Sequence, residues 1–181
     1  HRVQKLTSSG KFLHKFGQQG SGQGQFYGPF AVIIDSNNKL IVSDHNNHSV
    51  QVFNENGGWL LTIDGSGSGN DSFQVPLGLA LDPQGNIHVA GHLSNTIKVF
   101  TNDGVYVRMY GDPKRPIGIA IDDEGYSFVS EFRDNCLSIY NPEGYKIHTV
   151  GNLSNPYGIA LDPRDGSVFI TLHLTSIVVK F

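Results

Sequence analysis

Four residues able to bind or react fall in one column when the short apolar runs LIVSD (40–44), IHVAG (87–91), SFVSE (127–131) and SVFIT (167–171) are aligned. They are His45, His92, Phe132 and His173. Three imidazoles around an open fourth position are the donor set of a catalytic zinc ion. Two features weigh against that here: the second and fourth units are not neighbours in the series, and Phe132 fills the slot between them. His45, His92 and His173 therefore read as ordinary loop histidines, and no cofactor is expected. Asp35, Asp82, Asp122 and Asp162 also recur once per unit. Acid–base catalysis needs two carboxylates in unlike surroundings, so equivalent ones read as turn caps that accept backbone N–H bonds. No serine sits in a G-x-S-x-G elbow, and no Ser-His-Asp or Cys-His set can be assembled. Cys136, the lone cysteine, opens a strand-like run (CLSIY) and reads as packed rather than reactive. The chain is expected not to be an enzyme.

The glycine-rich stretch GQQGSGQGQFYG (17–28) looks superficially like a phosphate loop. Such a loop needs a strand before it, a helix after it and a Lys-Ser/Thr pair. All three are missing, and GSGSGNDSF (65–73) recurs at the same place in the next unit. Both stretches read as connections. The better binding candidates are the loops DHNNHS (44–49), GHLSNT (91–96), EFRDNC (131–136) and LHLTS (172–176), since loops on a rigid scaffold carry function more often than the scaffold does. His45, His92, Phe132, Arg133 and His173 are the residues expected to make contact. RNA bases could stack on these rings, but Arg133 shares its loop with Glu131 and Asp134, and Asp44 lies on the same face. The basic cluster DPKRP (112–116) is placed by the sequence at either end of an apolar run and reads as a solvated turn. The net charge of −3 and pI near 6.2 exclude a globally basic nucleic-acid binder. A protein partner is therefore preferred to RNA. The sequons at Asn47, Asn70 and Asn152 matter only in a secreted chain.

A repeat must hold these loops in place. Four segments open on proline and close on aspartate: PFAVIID (29–35), PLGLALD (76–82), PIGIAID (116–122) and PYGIALD (156–162). Their aspartates are 47, 40 and 40 residues apart. Each is followed by the second run named above and by a third, VQVF (50–53), IKVF (97–100), LSIY (137–140) or IVVKF (177–181). A fourth run, WLLTI (59–63), VYVRMY (105–110) or KIHTV (146–150), completes the first three units. Runs this short, β-branched or aromatic and bounded by Gly, Asn, Asp or Pro, are strands. Turns such as NDG (102–104) and PEG (142–144) supply the glycine that positive φ needs. Small pairs such as Gly118 and Ala120 suit inner strands converging on an axis. Four short antiparallel strands in about 40 residues make a β-propeller blade. The fold expected is all-β, about four four-stranded blades. HRVQKL (1–6) matches a third strand and GKFLHKFG (10–17) a fourth. The chain then reads as two strands, three sets of four, and three more, seventeen in all. The third-strand role is filled twice, so the chain reads as an excerpt of a longer ring, with self-closure or self-association through open blade edges as the alternatives.

HRVQKLTSSGKFLHKFGQQGSGQGQF, followed by P-x-x-x-x-x-D, LIVSD and NNHSVQVF, resembles the NHL repeat, and most nearly the C-terminal propeller of the tripartite-motif ubiquitin ligases. The resemblance runs along the whole of residues 1–181 and implies partial repeats at about 1–28 and 156–181 around full ones at 29–75, 76–115 and 116–155. It implies a ring of six blades. It also implies a substrate-recruiting, protein-binding module, with RNA binding in post-transcriptional regulation as the alternative. The RING, B-box and coiled coil of such ligases are not in this chain, so ligase activity would lie elsewhere in the parent. A third implied reading is a zinc lyase, because the peptidylamidoglycolate lyase is an NHL-like propeller with a His-ligated zinc. Two units depart from the pattern: Ala31 replaces the glycine of P-x-G, and Thr171-Leu172 stands where Ser43-Asp44 stands in the first. No apolar run approaches the ~20 residues of a membrane span, and HRVQKLTSSG lacks a leader's apolar core. A cytoplasmic location, without membrane contact, is expected.

Overall fold

The computed structural model describes residues 1–67 and 69–181. These residues form short strands and, besides them, a single 3₁₀ turn at His45–Asn47. A hairpin of β1 (Val3–Leu6) and β2 (Phe12–Phe16) comes first, then a two-residue parallel pair, β3 (Gln18–Gln19) and β4 (Gln25–Phe26). Blade 1 is the antiparallel meander β5 (Pro29–Ile34), β6 (Leu40–Asp44), β7 (Ser49–Phe53) and β8 (Trp59–Asp64). Blade 2 repeats it in β9 (Pro76–Leu81), β10 (Ile87–Gly91), β11 (Thr96–Phe100) and β12 (Tyr106–Tyr110). Blade 3 holds β13 (Pro116–Ile121), β14 (Ser127–Glu131), β15 (Cys136–Tyr140) and β16 (Lys146–Val150). Blade 4 has three strands, β17 (Pro156–Leu161), β18 (Val168–Leu172) and β19 (Ile177–Lys180). The chain is an all-β propeller of four blades, with each strand within a residue or two of its apolar run. β3 and β4 are the departure: the first glycine-rich stretch, read as a bare connection, pairs briefly with itself. The second includes residue 68, which lies outside the described residues.

Apolar clusters lie between successive sheets, so blades 1 to 3 each form one side of two cores and blade 4 one side of a single core. Ile41, Val50, Val52, Phe73, Ile87 and Val89 pack between blades 1 and 2. Ile97, Val99, Tyr110, Val129 and Tyr140 pack between blades 2 and 3, and Leu137, Leu153, Val168 and Ile170 between blades 3 and 4. The hairpin closes the near end, with Val3 and Phe16 resting on Phe26, Val42 and Phe53. β9 is covered on both faces, whereas β5 and β17, with one neighbouring blade each, bury alternate residues.

The repeated aspartates do what the turn chemistry demands. Asp35 Oδ1 accepts the N–H groups of Asn37 and Lys39, at 2.9 and 2.7 Å. Asp82 does the same for Gln84 and Asn86, and Asp122 for Glu124 and Tyr126. Asp162 holds Arg164, and one extra residue in that turn brings in Asp165 to hold Ser167.

Every inner strand also carries the same irregularity. Pairing with the second strand lapses just after the opening proline, at residues 30–31, 77–78, 117–118 and 157–158. A bulge frees backbone groups from the ladder and turns side chains off the sheet plane. Of the residues that directly follow the prolines, Phe30, Ile117 and Tyr157 line the central channel at this bulge, while Leu77 is buried.

Candidate functional site

At one end of the channel the bulged residues meet the loops between second and third strands. His45, His92, Phe132 and His173 each directly follow the second strand of their blade, as the alignment requires. The structure joins them through two rings the sequence reading did not select. His45 meets Phe30 edge-on, with centroids 6.4 Å apart, and Phe30 meets Tyr157 at 6.2 Å. Tyr157 lies 5.3 Å from His173 and 6.5 Å from Phe132, which in turn lies 6.4 Å from His92. Six rings thus run unbroken over the mouth. Beneath them is a cleft of about 250 Å³ lined by Ala31, Leu79, Ile117, Ile119, Ile159 and the backbones of Gly78, Gly118 and Gly158. The signal for Phe30 and Tyr157 was present as the residue after each inner-strand proline, where the other two blades have Leu77 and Ile117.

The histidines are oriented but not gathered. His45 Nδ1 donates to the Gly28 carbonyl at 2.7 Å, and His92 Nδ1 donates to the Pro116 carbonyl at 3.2 Å. Phe30, Tyr157 and Phe132 stand between them, and among the described residues no group of three or more His, Cys, Asp or Glu is placed to hold a metal ion. The geometry offers no basis for a His45–His92–His173 zinc site. Burial lowers the His92 pKa despite the Pro116 carbonyl, and the nearby Arg115 guanidinium lowers it further. The lowered pKa favours the neutral ring, with Nδ1 the nitrogen already bonded.

The position of DPKRP is now fixed: it lies on this same rim. Phe132 N–H donates to Arg115 O at 3.2 Å and Arg133 N–H to Lys114 O at 3.3 Å. Lys114 N–H donates to the buried Glu131 carboxylate at 2.7 Å, and Arg115 N–H to Asn95 Oδ1 at 2.8 Å. Lys114, Arg115 and Arg133 thus flank Phe132, where the sequence had offered Arg133 alone.

The first glycine-rich stretch does gather an anion, though an internal one. Tyr27 and Gly28 donate their N–H groups to the fully buried Asp44 carboxylate, at 3.0 and 2.6 Å. Gln51 and Asn47 strap the stretch further, through Gly24 N, Gln25 O and Gly20 O. A larger polar groove of about 710 Å³ runs between this strap and β8, past Ser49, Trp59, Thr62 and Asp64. Cys136 is buried, and burial first, then Glu131, pushes its thiol pKa up. It is a packed residue, not a nucleophile.

This geometry defines a β-propeller with a ring-lined channel mouth, and the comparisons with known proteins agree on that class. The family model for the NHL repeat matches residues 26–53. No curated protein matches the chain. A streptogramin B lyase structure superposes with a TM-score of 0.76 at 15% identity, over 99% of this chain and 61% of the lyase. A catalytically inactive virginiamycin B lyase from Staphylococcus aureus, with quinupristin, gives 0.75 at 15% identity, over 99% of this chain and 62% of the other. A gluconolactonase from Xanthomonas campestris gives 0.74 at 16% identity, over 93% of this chain and 61% of the other. The chain spans about three-fifths of the length of these structures. Identities this low show the fold alone. They do overturn one expectation: the chain was read as not being an enzyme, yet the propellers it resembles include lyases and a gluconolactonase. A propeller of this shape supports catalysis in those proteins, so a missing Ser-His-Asp pattern was no ground for excluding it. No helix among the described residues is long and apolar enough to cross a membrane.

Proposed function

We propose that this chain is a recognition propeller that captures a protein partner on the mouth of its channel. The observation that carries the reading is the unbroken run of six rings, His45–Phe30–Tyr157–Phe132–His92 with His173 on Tyr157, above an apolar cleft. Aromatic side chains supply large contact area at small entropic cost and dominate the energetics of interfaces. The proposal concerns capture and holds whether or not the captured ligand is then turned over. The resemblance to tripartite-motif propellers supports a finer reading, in which the capture delivers a substrate to a cytoplasmic ubiquitin ligase. Capture from cell extract tests the site. With Phe132→Ala and Tyr157→Ala, each checked for a native-like melting curve, bound partners should fall severalfold, and unchanged capture refutes the proposal.

One observation favours a second reading, single-stranded RNA. Lys114, Arg115 and Arg133 stand beside Phe132, and cations next to a stacking ring are the usual means of holding such strands. Affinity for a single-stranded RNA pool should then fall steeply with salt. Weak, salt-independent binding would remove this reading.

A further inference from the structure

The blade 3 corner of the mouth differs from the rest of it. Arg115 and Arg133 are exposed, and among the described residues neither guanidinium has a carboxylate within ion-pair distance. Their loops are stitched together by backbone bonds, so the two cations rise from a fixed base. The Arg115 carbonyl takes the Phe132 N–H at 3.2 Å, so the loop that carries its charge is bonded to the ring run itself. The local carboxylates are accounted for. Glu131 is buried and held by Lys146, Ser138 and the Lys114 N–H, and Asp112 is taken by Lys114 Nζ at 3.1 Å. Asp134, beside Arg133, is exposed.

Three cations (Lys114, Arg115, Arg133) against two exposed carboxylates (Asp112, Asp134) leave the corner at +1, on a chain whose net charge is −3. One surplus charge suits one carboxylate. It is too little for a phosphate backbone, whose binding rests on several neutralised phosphates at once. The cleft beside this corner has apolar walls and no cation on its lining.

We infer that the mouth selects a peptide carrying a carboxylate next to a large apolar residue, the apolar side chain entering the ring-lined cleft and the carboxylate resting on Arg115 and Arg133. This rests on the reading of the mouth as a protein-binding surface and supplies its chemistry. Arginine suits the task because its planar donors match a carboxylate in two parallel bonds.

The test is selection from a displayed library of random dodecapeptides against the whole chain. Enriched peptides should carry Asp or Glu within two positions of Leu, Ile, Phe or Tyr. Changing that acid to its amide should weaken binding about tenfold or more, the usual worth of a charge-assisted bond. The double variant Arg115→Asn, Arg133→Gln should bind acid and amide peptides alike. Asn at 115 repeats Asn155 of the next blade, which has the same positive φ, so the variant keeps its backbone. Enriched peptides without an acid, but lost with Phe132→Ala, overturn this inference and leave the mouth reading standing. Peptides indifferent to Phe132→Ala, or no enrichment at all, overturn both. So does steeply salt-dependent binding of a ten-nucleotide single-stranded RNA in place of peptide.

Discussion

The joint between blades 2 and 3 and the joints on either side of it follow one plan with one part exchanged. In blade 1, Ser43 Oγ takes the N–H of Ala31 in its own bulge, at 3.0 Å, and donates to Leu77 O of the next blade at 2.7 Å. In blade 3, Ser130 does the same for Gly118 N at 2.7 Å and Tyr157 O at 2.6 Å. One hydroxyl thus closes two backbone groups that the bulge left open, and bolts neighbouring blades together. Blade 2 has Ala90 at this place. Its joint uses a different run of bonds, from Asp82 Oδ2 to His88 Nε2 (3.2 Å), His88 Nδ1 to Tyr110 Oη (3.0 Å) and Tyr110 Oη to Ser127 Oγ of blade 3 (2.9 Å). His88 replaces the Ile41 and Phe128 of its neighbours, so the middle joint exchanges apolar packing for a titratable chain. A further clamp is common to all three joints. A left-handed residue ending the second-to-third-strand loop accepts the N–H of the residue before the next proline: His48 from Val75, Asn95 from Arg115, Asn135 from Asn155. A repeat protein can therefore tie successive blades by different chemistries, one hydroxyl on the two bulge backbone groups in the outer joints and a run of side-chain bonds in the middle one.

The largest expected effect concerns what the joints share, the closeness of the inner strands. A methyl at Gly78 would lie 2.4 Å from Ile117 O, and one at Gly118 2.4 Å from Tyr157 O, whereas one at Gly158 would meet only Thr171 Oγ1, at 3.3 Å. Gly78→Ala and Gly118→Ala should each cost more than about 3 kcal/mol in urea unfolding, and Gly158→Ala under about 1. Equal costs at the three sites would refute close approach as their cause. Next comes the exchanged part. Ser43→Ala and Ser130→Ala each strand buried backbone groups and should lose about 1–3 kcal/mol, while Ala90→Ser should gain about 0.5–1. A neutral Ser130→Ala would mean that the hydroxyl is not the bolt.

The side-chain run of the middle joint should also sense acid. Burial lowers the His88 pKa, against the pull of Asp82, so the fold holds this ring neutral. A histidine whose folded pKa is depressed contributes stability above its unfolded value, near 6.5, and loses it as pH falls below that value. Melting temperatures from about pH 7 to about pH 5 should fall more for the wild type than for His88→Phe. Parallel slopes would place the titration elsewhere. The smallest effect is local. Val75 holds φ +55 where Gly28, Arg115 and Asn155 stand in the other blades. A β-branched residue is strained there by roughly 1–2 kcal/mol, so Val75→Gly should gain about 0.5–1 after the entropic cost of glycine. A loss on chemical denaturation would show that the Val75 side chain packs usefully.

The blades were legible because their signals are local. A proline, an alternating run, an aspartate and a turn glycine each act within a few residues, and their recurrence fixes four sheets. The candidate site was legible only in part. The column of His45, His92, Phe132 and His173 follows from aligning one loop with its equivalents. Phe30 and Tyr157 join it because a bulge re-aims them, and a bulge is set by register between strands rather than by residue type. Arg115, read within DPKRP as part of a solvated turn, was left without a rim for a related reason: which rim its loop occupies depends on the direction in which the chain enters the inner strand. Asp44 shows the same limit, since its partners, Tyr27 and Gly28, are 17 and 16 residues away across a loop.

The meeting of Phe30 and Tyr157 has a mechanical consequence. Successive blades are tied by strand packing and by bonds between backbone and side chains, while blades 1 and 4 meet here through a pair of rings 6.2 Å apart. The arc is thus a clip whose jaws are two side chains drawn from the opening and closing thirds of the chain. On the proposed capture, a guest seated between the jaws would spread them and alter the curvature of the whole arc, read as a change in the distance between β1 and β19.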